Sequence, residues 1–335
     1  MFDKYLVTGA TGFLGLAVVR ELVRRGETVR ALVLEGDPCA ELLPRGVDTV
    51  IGDVCVKDSL AAFFEGVDSR TCVLHCAGII SVASCPGTKM YQVNVGGTGK
   101  VVRMAVQYGV GRLVYVSSVH ALPEQPKGTA ITEAHMSSPT PVRGDYAKTK
   151  ATATELVLEA AQNGLCASVV FPSGLIGPGD VLGGSFTSMV GAFLKGHLPI
   201  AVCGGYDFVD VRDVAKGIVD CAERGTSGRG YILSGEYMTI PEMLHTVGQA
   251  ARLRRRPLCL PLWMARLAAP LYESYCLKRR LPLFFTPYSV DVLGSNGQFS
   301  HAAATADFGY TPRPIEESLR DMTVWIQEHK TDRRR

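Results

Sequence analysis

From Lys4 to Arg25 the chain reads as a short apolar run, a glycine-rich turn and an amphipathic helix, a succession that few folds accept. Leu6, Val7 and Thr8 lead into Gly9-Ala10-Thr11-Gly12-Phe13-Leu14-Gly15, after which Val18, Val19, Leu22 and Val23 recur at helical spacing. Glycine suits a backbone that turns tightly and then approaches a neighbour with no Cβ in between. A turn of this kind, placed after a strand, aims the first N–H groups of a helix at an anion. The stretch Gly9 to Gly15 is therefore expected to hold the pyrophosphate of a dinucleotide, with Thr11, Phe13 and Leu14 beside it. Its Gly9-x-x-Gly12-x-x-Gly15 spacing departs from the commoner GxGxxG.

The pattern then alternates. Strands are expected at Thr28–Leu34, Thr49–Ile51, Thr71–His75, Leu113–Val116 and Ala167–Phe171, with helices at Lys57–Phe64, Lys89–Tyr108 and Tyr146–Gln162 between them. Strand-helix alternation implies βαβ units with right-handed crossovers. The fold class is accordingly α/β: a doubly wound parallel sheet with a smaller, mostly helical C-terminal region for the substrate. Residues 1–175 are expected to form the dinucleotide-binding domain and 176–335 the substrate region, with 206–234 packing back on the first. In such sheets ligands sit beyond the carboxyl ends of the strands. That rule places the glycine turn, Asp53, Ala77, Gly78, Ser117, Ser118 and Pro172 along one rim. The segment Pro123–Arg143, rich in Pro, Gly, Ser and Thr, reads as a loop able to act as a flap.

Composition narrows the partners. A net charge of +3, with 35 basic residues against 32 acidic ones, gives no ground for a nucleic-acid surface and points to a small-molecule partner. The ten cysteines are scattered through apolar runs. Neither a disulfide framework nor a metal site is expected from their spacing, which suggests a reducing, cytoplasmic setting. No signal peptide and no transmembrane run is read in the sequence.

Chemistry concentrates at Tyr146 and Lys150, four residues apart and so on one helix face. A tyrosine titrates near ~10 and works as an acid or base at neutral pH only where its phenolate is stabilised, as a neighbouring ammonium would do. The hydroxyl of Ser118, or of its neighbour Ser117, then holds a substrate oxygen while Tyr146 exchanges its proton.

Together with TGATGFLG at 8–15, GDV at 52–54, HCAG at 75–78, NVGGT at 94–98, YVSS at 115–118 and YAKTK at 146–150, this set resembles the extended short-chain dehydrogenase/reductases. PSGLIGPGD at 172–180, DFVDVRDVA at 207–215 and FGYTPR at 308–313 carry the likeness over nearly the whole chain. The resemblance implies a Ser118, Tyr146, Lys150 triad with Lys150 also on the nicotinamide ribose. It further implies Asp53 and Val54 near the adenine, Ala77 and Gly78 along the cofactor, Pro172 beside the nicotinamide, and Asn94 as a brace.

Ser118 is followed by Val119-His120 rather than the acidic pair of sugar-nucleotide dehydratases or the Tyr-Gly of epimerases. The pattern is most similar to the 3β-hydroxysteroid dehydrogenase and dihydroflavonol reductase branch, which implies hydride exchange between a nicotinamide and a secondary alcohol or ketone. A nucleotide-sugar epimerase and a non-catalytic dinucleotide sensor are the alternatives. Leu34 stands where that branch often has an Arg, and Glu35 and Asp37 follow, which favours NAD over NADP. The apolar stretch 258–288, with Trp263, Met264, Leu267, Leu271, Tyr272, Tyr275, Phe284, Phe285 and Tyr288, fits a lid over a flat apolar substrate. It equally fits core, a homodimer contact or a peripheral membrane contact. His120 either lines the substrate pocket or is surface.

Overall fold

The computed structural model describes residues 2–81, 87–137, 142–279 and 286–332. The first half supplies β1 (Lys4–Thr8), α1 (Phe13–Arg24), β2 (Val29–Val33), β3 (Asp48–Ile51), α2 (Lys57–Phe63), β4 (Thr71–His75), α3 (Thr88–Tyr91), α4 (Thr98–Gln107), β5 (Arg112–Val116), α5 (Asp145–Gln162) and β6 (Ala167–Pro172). The second supplies β7 (Gly174–Ile176), α6 (Ser185–Lys195), β8 (Ile200–Cys203), β9 (Gly205–Asp210), α7 (Val211–Arg224), β10 (Gly230–Leu233), β11 (Glu236–Thr239) and α8 (Ile240–Ala250). It ends with β12 (Leu258–Pro261), α9 (Leu262–Arg279), α10 (Pro287–Gly294), α11 (Ala302–Phe308) and α12 (Ile315–Asp332).

Seven strands form one sheet in the order β10-β6-β5-β4-β1-β2-β3, and every pairing in it is parallel. The chain winds outward from β1 to β3, returns, and winds the other way from β4, so the topological switch lies between β1 and β4. Strands buried on both faces need apolar side chains throughout, which Tyr5, Leu6, Val7, Cys72, Val73 and Leu74 provide. One face is covered by Val18, Val19 and Leu22 of α1 and Val214, Ile218 and Val219 of α7. The other is covered by Leu60 and Phe63 of α2, Val101 and Met104 of α4, and Val157 of α5. Each such buried side chain contributes roughly 1.5–3 kcal/mol. Two smaller sheets, β11-β9-β7 and β12-β8, extend the second half.

The turn between β1 and α1 is the tightest packing point in the sheet. Gly9 has φ +65°, and a Cβ there would stand 2.7 Å from the backbone N and Cα of Ala77 at the end of β4. A Cβ on Gly15 would meet the Gly9 carbonyl oxygen at 1.9 Å. The two positions thus fix how closely α1 and β4 approach β1.

Several expectations are corrected. The helix read at Lys89–Tyr108 is interrupted: between α3 and α4 one π turn spans Gln92–Gly97, where a Cβ on Gly97 would come within 2.8 Å of Val54. In the segment read as a flap, the described residues 123–137 are tied down, and 138–141 lie outside the described residues. Asn296 Nδ2 donates to the carbonyls of Pro126 and Thr129 at 3.0 and 2.7 Å. Glu133 accepts from the Ile232 N–H at 2.7 Å. A disulfide joins Cys203 and Cys259, contrary to the expectation of none, because β8 pairs with β12 although the two cysteines are 56 residues apart. Cysteine usage therefore no longer argues for a reducing compartment. The short strands β7, β8, β11 and β12 carry three or four residues each and leave no readable period. No helix among the described residues is long and apolar enough to cross a membrane.

Gly15→Ala is expected to lower stability by more than ~2 kcal/mol, since backbone rather than a mobile side chain opposes the added methyl. Urea unfolding of the variant beside the parent protein measures it.

Candidate active site

A cavity of about 440 Å³ opens at the carboxyl ends of β1, β4, β5 and β6. Gly9, Gly12, Phe13, Leu14 and Gly15 line one end of it, and Ser117, Ser118, His120, Tyr146, Lys150 and Pro172 line the middle. Phe186, Met189, Val202, Ile240, Val292 and Leu293 form an apolar far wall. Gly12 caps α1 in an extended conformation with no side chain bonded to the helix start and no acidic residue in the first turn. The start of α1 opens on the glycine-lined end of the cavity with its first N–H groups uncapped, and an anionic pyrophosphate fits it on charge.

Ser118 and Tyr146 meet in the middle of the cavity. The Ser118 oxygen accepts the backbone N–H of His120 at 3.3 Å, and the Ser118 side chain favours the ionised form of the Tyr146 phenol. The Ser117 hydroxyl turns instead to Thr154 Oγ1, 2.7 Å away on α5. Both serines line the cavity, and Ser117 is bonded to α5. Lys150 Nζ donates to the Val116 carbonyl at 2.8 Å and to the Tyr115 hydroxyl at 3.4 Å. A Cβ on Gly78 would lie 3.2 Å from that ammonium, so Gly78 leaves room for Lys150.

Burial dominates the electrostatics. It pushes the Tyr146 phenol up to about 12, against the opposing Ser118 hydrogen bond. It brings the Lys150 ammonium down to about 8. The Lys150 amine is bonded to the β5 carbonyl of Val116, and the rise of the Tyr146 pKa has burial as its leading cause.

His120 is not surface. Its Nε2 lies 2.9 Å from the Tyr206 hydroxyl and its Nδ1 3.3 Å from that of Tyr288. The imidazole stacks on Tyr206 with centroids 5.6 Å apart and meets the Tyr146 ring edge-on at 5.9 Å. Burial takes its pKa down to about 4.

Four expected cofactor residues stand on the rim without lining the cavity. Thr11 donates its hydroxyl to Asp37 at 2.6 Å. The Asp53 carboxylate accepts the Cys55 N–H at 2.8 Å. Val54 is buried under Gly97, and Ala77 gives its N–H to Thr8 Oγ1 at 3.3 Å. Asn94 braces the β4 end: its amide bonds the Ile79 N–H at 2.7 Å, the Ile79 carbonyl at 3.0 Å and Thr149 Oγ1 at 3.0 Å.

The lid reading of 258–288 is corrected for α9. Its buried face carries Ala265, Ala269, Glu273 and Cys276, whereas Trp263, Leu267 and Leu271 are 64%, 72% and 76% exposed. Tyr288 does line the cavity, and Phe284 and Phe285 lie outside the described residues.

The family model described as "NAD dependent epimerase/dehydratase family" matches residues 5–233. The protein belongs to that family. The chain is 31% identical to Sterol demethylase protein B of Methylococcus capsulatus, covering 96% of this chain and 98% of that one. It is 30% identical to the human 3 beta-hydroxysteroid dehydrogenase type 7, over 96% and 95% of the two chains. The crystal structure of a Thermus thermophilus UDP-glucose 4-epimerase in complex with NAD superposes with a TM-score of 0.79 at 23% identity, covering 97% and 99% of the two chains.

Some cavity residues of this epimerase/dehydratase family member escaped the sequence reading. Ser173 and Asp180 lie inside the PSGLIGPGD run, and Tyr206 immediately precedes DFVDVRDVA. Adjacency to those runs was the only available signal.

A pH effect on stability follows from His120 and from the buried His75, which burial takes down to about 3. The unfolded imidazoles take up protons near ~6.5, the folded ones only near 4 and 3. Their contribution is therefore present above pH ~6.5 and is lost as pH falls toward those values. Urea midpoints measured between pH 7.5 and 4.5 are expected to fall with acid, and His120→Gln to flatten part of that slope.

Proposed function

We propose that this protein is a nicotinamide-dependent oxidoreductase that interconverts a secondary alcohol and a ketone on an apolar ring substrate of the hydroxysteroid type. The observation that carries it is the Ser118–Tyr146 hydroxyl pair, set between the glycine cradle and an apolar wall. The cofactor supplies hydride chemistry at that junction when bound. Tyr146, kept as the neutral phenol by burial, gives its proton to the ketone oxygen in reduction and takes one back in oxidation. Ser118 holds the same oxygen. Lys150 anchors α5 to β5 through the Val116 carbonyl and lies against Gly78, where the ribose would pass. Relatives bearing sterol and hydroxysteroid names support the substrate class.

NAD is favoured over NADP. Leu34 is 54% exposed at the end of β2 and offers no cation to a 2′-phosphate. The Asp37 carboxylate, held by Thr11 beside the glycine turn, would repel one.

Purified protein assayed for reduced cofactor against hydroxysteroids, flavonoid-like ketones and UDP-sugars, with NAD and NADP in parallel, is expected to turn over a hydroxysteroid and to prefer NAD. Tyr146→Phe should lower kcat by about 10²–10⁴-fold. Turnover of UDP-sugars alone, with no net change in cofactor, would establish the epimerase alternative instead.

The outward face of α9 marks a second contact. Trp263, Met264, Leu267, Leu271 and Tyr275 expose an apolar stripe, flanked by the exposed Arg254, Arg255 and Arg256 before it and Lys278 and Arg279 at its end. An apolar stripe between basic clusters matches an anionic bilayer surface, and the helix lies on it rather than through it. The chain is expected to float with phosphatidylglycerol vesicles but not with phosphatidylcholine ones, and Leu267→Glu with Leu271→Glu to abolish flotation. A concentration-dependent dimer that these substitutions dissociate, without vesicle binding, would assign the face to a homodimer.

A further inference from the structure

The cavity contains polar groups that a single reacting oxygen does not use. His120, Tyr206 and Tyr288 come from three separate parts of the chain and meet at one imidazole. Tyr288 is fixed there by packing: its ring lies over Gly144, where a Cβ would stand 2.3 Å from Cε2. Gly144 immediately precedes α5, the helix that carries Tyr146. The Tyr206 ring is stacked on the imidazole, its plane tilted by 15°.

Counting protons shows what this cluster offers. The imidazole, brought down to about 4 by burial, is neutral at physiological pH and carries one N–H and one bare nitrogen. The bare nitrogen takes the proton of one tyrosine. The N–H is given to the oxygen of the other. That second tyrosine keeps its own O–H unused, whichever tautomer is present. Burial also holds both phenols in the protonated form. An unspent hydroxyl on a cavity wall is costly to leave without an acceptor once a ligand has displaced water. The apolar side chains Phe186, Met189, Val202, Ile240, Val292 and Leu293 offer no acceptor, and among the described residues neither phenol is bonded to Ser173, Asp180, Ser185, Thr187 or Ser289, which also line the cavity.

We propose that His120, Tyr206 and Tyr288 form a second polar anchor, which donates a hydrogen bond to a second oxygen of the substrate close to the reacting carbon. Proximity follows from the edge-on contact of His120 with Tyr146, whose ring centroids are 5.9 Å apart. The substrate class is thereby narrowed to an uncharged apolar ring compound with two neighbouring oxygen functions, such as a vicinal diol or a hydroxyketone. His120 is a positioning residue that sets which tyrosine donates. The inference rests on reading the cavity as the substrate site.

The test uses the full chain saturated with NAD and a matched pair of probes, cyclohexanol and trans-cyclohexane-1,2-diol, with Kd taken from ligand-observed NMR. The parent protein is expected to bind the diol about tenfold or more tightly than the monoalcohol, the size of one buried hydrogen bond. One of Tyr206→Phe and Tyr288→Phe, the one that removes the donating hydroxyl, should bring that ratio to about one, while His120→Gln, which keeps an N–H and an acceptor, retains part of it. A parent ratio near one, or an unchanged ratio in both Phe variants, overturns the anchor. Melting temperatures of the variants show that each is folded, and the two Phe substitutions are independent should either fail to fold. Reduction of NAD by either alcohol is read separately: preferential diol binding without hydride transfer upholds the anchor and defeats the oxidoreductase assignment, and hydride transfer without a diol preference does the reverse.

Discussion

The approach of α1 to the end of β1 is the constraint on which the rest depends. With 1.9 Å between the Gly9 carbonyl and the place a Gly15 Cβ would occupy, no other residue fits without moving backbone. Gly9 is under two demands at once, a left-handed φ and contact with Ala77. Together they draw α1, β1 and β4 to one point, and that point is the topological switch of the sheet. The cavity is what the closeness leaves open: N–H groups at the start of α1 facing the carboxyl ends of β4, β5 and β6.

Within that cavity burial outweighs pairing. Tyr146 is raised and both Lys150 and His120 are lowered, each with desolvation as the leading cause. A low-dielectric site favours the neutral form of every group it encloses. Hydroxyls and a neutral imidazole therefore form the polar surface of the cavity, with the His120 ring between the Tyr206 and Tyr288 hydroxyls and the Ser118 oxygen on the His120 backbone N–H. Such a surface distinguishes ligands by hydrogen-bond count rather than by charge, which agrees with an uncharged, apolar substrate that carries oxygen at defined places.

The second half of the chain serves the same cavity from the other side. α6, β8, α8 and α10 contribute the apolar wall, while β10 lies beside β6 as the last strand of the large sheet. Residues 123–137 are held to that half by Asn296, which donates to the carbonyls of Pro126 and Thr129, and by Ile232, which donates to Glu133. Helix α9 packs inward through alanines and so stays close to the body while its larger apolar side chains face away.

Local signals made the parallel sheet legible. Strands of four to six largely apolar residues alternate with amphipathic helices, and a glycine turn follows the first of them. The Tyr146–Lys150 pair was also legible, because spacing on a helix is a local property. What the sequence could not determine are relations between distant residues. The contact of Ser117 with Thr154 depends on α5 packing against the end of β5. The charge on Tyr146 depends on how deeply it is buried. The joining of Cys203 to Cys259, and of His120 to Tyr206 and Tyr288, arises from strands and helices separated by 56, 86 and 168 residues. The sequence by itself determined which elements form and where the cofactor turn lies, since both follow from backbone preference and periodicity. Only the tertiary structure decided which polar groups face the substrate, because hydrogen-bond partners and desolvation are properties of the packed whole.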